Sequence, residues 1–146
     1  MLGWVECLYK ICIMEVDKLC DVIAGCAKTV RSQLTPGYEE KLYKKALMIE
    51  MGERGIPFET EVPFQVSYKD RIIGDYRADI IVDHKVIVEL KAVSALAPIH
   101  SIQLVNYLTA TGINDGMLIN FGAEKLEIRR KYRIYTPNPN PQSPSV

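Results

Sequence analysis

Two charged residues, Glu89 and Lys91, close the most apolar run in the chain, residues 86–90. In a strand, side chains two residues apart share a face, so Glu89 and Lys91 project together while Leu90 turns into a core. A run this apolar is expected to be a central strand buried on both faces. An unpartnered charge there costs on the order of several kcal/mol. One resolution is a plain ion pair at a strand end. The other is chemistry, and Asp79 favours it. Asp79 lies on the preceding run, at the end of a polar interruption that starts at Asp75 and leads into Ile80-Ile81-Val82. If Asp79 faces Glu89, two carboxylates converge beside a lysine, and they repel unless a cation neutralises them. Oxygen donors of this kind suit Mg²⁺ or Mn²⁺ rather than zinc. Such an ion can hold a phosphate oxygen and lower the pKa of a water. Lys91 is placed to orient that water or to offset charge growing on the phosphate.

The arrangement depends on register. A two-residue turn at Asp83-His84 pairs Val82 with Lys85 and sends Asp79 to the opposite face from Glu89, because a one-residue slip exchanges faces. Direct opposition of Asp79 and Glu89 instead requires Val82 to pair with Val86. The link is then a three-residue loop, Asp83-His84-Lys85, or a bulge, with one loop residue at positive φ. Asp and His tolerate that conformation.

The elements that must carry these residues follow from periodicity. Apolar residues at helical spacing predict helices over 15–34, 37–54 and 98–111. Pro36 is expected to open the second, and Gly55 with Pro57 to end it. Strands are expected over 61–67, 72–82, 86–90, 116–121 and 126–135, the last polar and at an edge. Two helices, three strands, a helix and two strands make an α/β domain: a mixed sheet with helices on its faces.

On the second helix, Glu40, Tyr43, Leu47 and Glu50 fall on one stripe, so Glu40 is either a third acidic group at the site or a solvated glutamate. Gln103 and Tyr107 share a face of the last helix with His100, which reads as a surface or capping residue. An amide and a phenol there could hold the lysine or a nucleic-acid backbone; otherwise the stripe simply meets water. Lys125, Arg129, Arg130, Lys131 and Arg133 cluster on the last strand, with Lys41, Lys44 and Lys45 as a second group. They fit phosphate contacts, or a charged edge that resists aggregation.

The sequence Gly37-Tyr38-Glu39-Glu40-Lys41-Leu42-Tyr43 matches the pattern that names the GxxExxY protein family. Arg77-Ala78-Asp79, the run from Val86 through Glu89-Leu90-Lys91, Gln103-Leu104-Val105-Asn106-Tyr107 and Leu118-Ile119-Asn120-Phe121-Gly122 resemble that family as well. The resemblance spans about 15–133 and implies a restriction-endonuclease-like fold of the PD-(D/E)XK superfamily, with a Gln-x-x-x-Tyr helix similar to that of RecB-type exonucleases. It implies metal-dependent phosphodiester hydrolysis, with DNA the expected partner. Asp79, Glu89 and the backbone carbonyl of Leu90 would hold Mg²⁺ or Mn²⁺, and Lys91 would be the catalytic lysine. Glu40 would be a further acidic ligand or would orient the water. Gln103 and Tyr107 would be accessory, and Lys41, Lys44, Arg129, Arg130 and Lys131 would contact nucleic acid. Ala78 stands where the superfamily's name has proline.

The 146 residues suit one domain, read as an extension over 1–14, the nuclease-like domain over 15–135 and a disordered tail over 136–146. Hydrophobic residues make up 48% and charged residues 25%, enough for a core without staples. The net charge of +0 provides no global field toward nucleic acid, so binding must rest on local patches. It also keeps open a catalytically weak binding or interaction module, or a structural dimer. A homodimer would let one small site per chain cut both strands at once. Cys7, Cys12, Cys20 and Cys26 form no C-x-x-C pair and have no counterparts near the C-terminus, which argues against zinc and against an iron–sulfur cluster. Free buried thiols suit a reducing cytoplasm. The first fourteen residues make a poor signal peptide, and no apolar run reaches membrane-spanning length.

Overall fold

The β-branched runs assemble into one five-stranded sheet in the computed structural model, which describes residues 14–134. Among the described residues two helices come first, α1 (Val16–Gln33) and α2 (Glu40–Glu53). A meander follows: β1 (Phe58–Tyr68), β2 (Arg71–Val82) and β3 (Val86–Lys91). Helix α3 (Pro98–Thr111) crosses over to β4 (Asp115–Asn120), and β5 (Glu127–Tyr132) closes the sheet. The spatial order is β1-β2-β3-β4-β5. Only β3 and β4 run parallel, as the intervening helix requires. This is the restriction-endonuclease-like α/β arrangement anticipated above. Residues 1–13 and 135–146, which hold Cys7, Cys12, most of the proposed extension and the proposed tail, lie outside the described residues. Among those described, no helix is long and apolar enough to cross a membrane.

Alternation along the strands divides the core between the faces. Ile80, Val82, Val86, Val88, Leu90, Met117 and Ile119 pack with α1 and α2. On the other face Ile81, Ile87 and Leu118 meet Leu104 and Leu108 of α3, joined by Ala78, which the interruption of pairing at Glu61 and Asp79 turns away from the face of Ile80. Gly116 lets α3 approach closely, since a Cβ there would come within 3.1 Å of Leu104 and Leu108. The central strands β3 and β4 are therefore apolar along most of their length, as doubly covered strands tend to be, with Glu89, Lys91, Asp115 and Asn120 toward their ends.

Helix α2 starts at Glu40, three residues later than periodicity indicates. Gly37 at φ 117° turns the chain, and a phenol binds the linker: Tyr43 Oη donates to the Thr35 carbonyl (2.5 Å) and accepts from Tyr38 N–H (3.2 Å). Tyr43 is fully buried and stacks on Phe121 at 4.9 Å and 4°. The Gly and Tyr of the GxxExxY pattern thus fix where the helix bearing Glu40 begins.

The β2–β3 register is the one that direct opposition needs: Val82 pairs with Val86, Ile81 with Ile87 and Ile80 with Val88. Both Asp83 (φ 49°) and His84 (φ 55°) are left-handed, where one such residue was expected. Lys85 N–H donates to the Val82 carbonyl at 2.9 Å. Positive φ at both central residues follows the right-handed twist of the strands, and Lys85 is the extra residue that shifts the ladder.

Candidate metal centre

Beyond Ile80 and Val88 the ladder between β2 and β3 stops, and side chains take over from backbone. Asp79 N–H donates to Glu89 Oε1 at 3.0 Å, and Leu90 N–H donates to Asp79 Oδ2 at 3.0 Å. Pairing is also interrupted on the other edge of β2. Thr60 pairs with Ile80 and Val62 with Ala78, but Glu61 between them has φ 50° and does not pair with Asp79. Asp79 therefore sits where the sheet opens, at the C-terminal end of β3. Crevices for ligands in α/β sheets form at such ends.

The electrostatics follow from this geometry. Glu89 is only 8% exposed. Burial, and then the charge of Asp79, push its carboxyl up to about 8 against the opposing pull of Lys91. Two carboxylates held together in a partly closed crevice are a poor arrangement for two negative charges and a good one for a hard divalent cation. The donor set fits such an ion: Asp79 and Glu89 supply the carboxylate oxygens, and Lys91 lies close enough for its charge to be felt by both Glu89 and Glu40.

Glu40 is exposed as a residue, yet its carboxyl is raised by desolvation, then by Asp79, with Lys91 and Lys44 opposing. It therefore lies within electrostatic reach of Asp79 and Lys91, although α2 packs on the face of the sheet opposite α3. It does not complete a carboxylate triad, however: among the described residues no group of three His, Cys, Asp or Glu is gathered closely enough to hold a metal. Tyr107 faces the pair from α3. Its hydroxyl is raised by desolvation and by the charge of Glu89, and it accepts a hydrogen bond from Gln103 Nε2 at 3.1 Å. Gln103 thus holds the phenol, and no bond to Lys91 accompanies it. His100 caps α3, its Nδ1 accepting Ala97 N–H at 3.0 Å.

The basic residues are less unified than their spacing indicates. Arg130 is directed at Asp17 (3.3 Å) and Asp115 (3.1 Å), tying α1 to β4. Arg129 meets Glu127 at 3.4 Å, and it lines a small cleft of about 210 Å³ with Lys131 beside the start of α3. Strand alternation thus splits Arg129 and Lys131 from Arg130, and the patch loses Arg130 to an internal role. Lys41 pairs with Glu39 at 3.0 Å, and Lys44 pairs with Glu61.

One residue that the sequence reading quoted within a motif was given no role there. Asn120, fully buried at the end of β4, accepts Val93 N–H and Gly122 N–H (both 3.0 Å) and donates to the Val93 carbonyl and Glu127 Oε1 (both 2.9 Å). Glu127 Oε1 also accepts Leu96 N–H at 3.1 Å. Together they hold the segment that leaves Lys91. A Cβ on Gly122 would meet the backbone of Ala92 and Val93 at 2.4–2.6 Å, so the two segments touch directly. The available signal was a lone amide inside an apolar strand.

A PD-(D/E)XK nuclease superfamily model matches residues 17–131. The chain belongs to that superfamily, whose members generally hydrolyse phosphodiester bonds and typically use divalent metals such as Mg²⁺ or Mn²⁺. Among solved structures it is similar to the one titled "Crystal structure of SSO0001", with a TM-score of 0.51 and 19% identity over 64% of this chain and 49% of that one. The chain thus spans about half of that protein, and the likeness concerns the fold. No curated protein matches the chain in sequence.

Proposed function

We propose that this protein is a metal-dependent nuclease that hydrolyses phosphodiester bonds in DNA, of the GxxExxY kind within its superfamily. The observation that carries the reading is the exchange of backbone ladder for carboxylates at Asp79 and Glu89, with Lys91 on the same face of β3. Asp79, Glu89 and the Leu90 carbonyl would hold Mg²⁺ or Mn²⁺. When bound, the ion neutralises the two carboxylates, polarises a phosphate oxygen and acidifies a water. Lys91 offsets the negative charge that builds on the phosphate. Glu40, across the crevice, orients the attacking water. Tyr107, held by Gln103, closes the α3 side. Lys41, Lys44, Arg129 and Lys131 are the cations left to meet the strand's phosphates, exchanging surface carboxylates for them.

The test is metal titration followed by cleavage of single- and double-stranded DNA. Mg²⁺- or Mn²⁺-dependent cleavage that disappears in Lys91→Ala is the expected result. DNA binding without cleavage under any metal would reduce the protein to a binding module.

A further inference from the structure

Most of β2 has no partner in β3. Residues 71–77 pair only with β1, so this hairpin reaches past the crevice opposite α3. Between them lies a groove of about 830 Å³. It adjoins the carboxylate pair but does not contain it: Gln103 and Tyr107 line the groove, and Asp79, Glu89 and Lys91 do not. Tyr107 is the shared wall, feeling the charge of Glu89 on one side and meeting aromatic rings on the other. Its ring lies 4.9 Å from Phe64 at 69° and 5.8 Å from Tyr76 at 51°. Tyr76 in turn stacks on Phe64 at 5.8 Å and 22°. Gly74 makes this possible, because a Cβ there would come within 2.8 Å of the Tyr76 ring.

The lining is chemically narrow. It contains no charged residue. It offers aromatic and aliphatic surface from Tyr76, Tyr107 and Ile102, and amides from Gln65, Gln103 and Asn106. Such a surface cannot neutralise phosphates. It suits a flat, uncharged ring with donors and acceptors on its edge, which is what a nucleobase presents. Bases stacked inside a duplex cannot offer their faces to it; unpaired ones can.

We infer that this groove binds unpaired bases of a single DNA strand whose phosphate lies at Asp79 and Glu89. The inference deepens the nuclease reading and rests on it for the path of the strand. Tyr76 is the stacking platform, Tyr107 links base and phosphate, and Gln65, Gln103 and Asn106 satisfy the base edges. The substrate is therefore a single strand, an overhang or a frayed end.

The experiment measures anisotropy of a fluorescein-labelled oligo-dT strand and of a blunt duplex across a salt series, with chelator present. Cleavage of the same strand, intact or with single abasic sites, is measured with Mn²⁺. Wild type is expected to prefer the single strand. Tyr76→Leu is expected to weaken binding roughly tenfold, and Tyr76→Phe to restore it, since one stacked base contributes an effect of about that size. The salt slope should not change, because no phosphate contact is lost. Ile102→Ser, at an exposed position on α3, should act in the same direction if Tyr76→Leu proves unstable. An abasic site next to the scissile bond should slow cleavage. Tyr76-dependent binding by a protein that never cleaves would overturn the nuclease reading and leave the groove standing. Cleavage indifferent to Tyr76→Leu, Ile102→Ser and the abasic sites would overturn the groove and leave the nuclease. Equal or better binding of the blunt duplex, no binding at all, or a dimer that Ile102→Ser dissociates would overturn the groove.

Discussion

The two ends of the β2–β3 pair are built from the same kind of strand and do opposite things. At the turn end, Val82, Val86, Ile81 and Ile87 are buried and pair regularly. There the backbone satisfies itself, and the side chains supply cohesion. Two residues further along, the ladder is broken on both edges of β2, and the backbone donors of Asp79 and Leu90 are taken up by carboxylates. Cohesion has been given up locally to hold charge. The regularly paired half thus anchors the interrupted half within a few residues.

That contrast can be broken from either side, and the largest effect is expected at the charged end. Asp79→Ala, Glu89→Ala and Lys91→Ala should each lower cleavage about a hundredfold or more with circular dichroism unchanged; Asp79→Ala and Glu89→Ala should also cost about 1–3 kcal/mol, for the backbone donor each leaves without its carboxylate. A variant that cuts at the wild-type rate would show that the site is elsewhere. At the turn end the expected pattern reverses: Ile87→Ala should cost about 2–5 kcal/mol in denaturant unfolding, the usual range for a buried isoleucine. The fraction still folded should cleave normally. A loss of activity in fully folded Ile87→Ala would mean that the two ends are not separable.

Two smaller changes sharpen the comparison by acting between the ends. Asn120→Ala leaves backbone groups of the segment after Lys91 unsatisfied, a penalty of about 1–3 kcal/mol. It should depress kcat more than KM, because it loosens the exit from Lys91 without touching substrate. Tyr43→Phe removes two hydrogen bonds of the linker before Glu40, for a stability loss of about 1 kcal/mol. Its activity loss should be correspondingly slight and should vanish in a Glu40→Gln background.

Particular residues show what the sequence made legible. Glu89 and Lys91 stood out because charge at the end of a doubly buried strand is anomalous whatever surrounds it. Requiring Asp79 to face Glu89 was enough to place Val82 opposite Val86, since side-chain alternation admits only two answers. The second left-handed residue in the loop was not legible, because turn handedness follows the twist of strands not yet assembled. The start of α2 was misplaced for a related reason: Tyr43, buried against Phe121, governs the linker from a distance. Asn120 could not be interpreted at all, since its partner Val93 is 27 residues away. Arg130 was grouped with its neighbours in sequence, although alternation turns it toward Asp17 and Asp115.

The raised carboxyl of Glu89 gives the site a pH signature. Its folded value of about 8 lies above the ordinary 4.5, so the folded state holds a proton that the unfolded state releases. The resulting stabilisation is fully present below about pH 4.5 and is lost as pH rises through about 8. A bound cation must displace that proton, so affinity should climb with pH across the same window. Calorimetric titration of Mn²⁺ from pH 5.5 to 8.5, on the wild type, Asp79→Ala and Glu89→Gln, tests the shared-cation claim most directly. The account predicts one ion per chain, an affinity rising up to about tenfold per pH unit below about 8, and loss of binding in both variants. Binding that survives in both variants, or that is independent of pH, would contradict it.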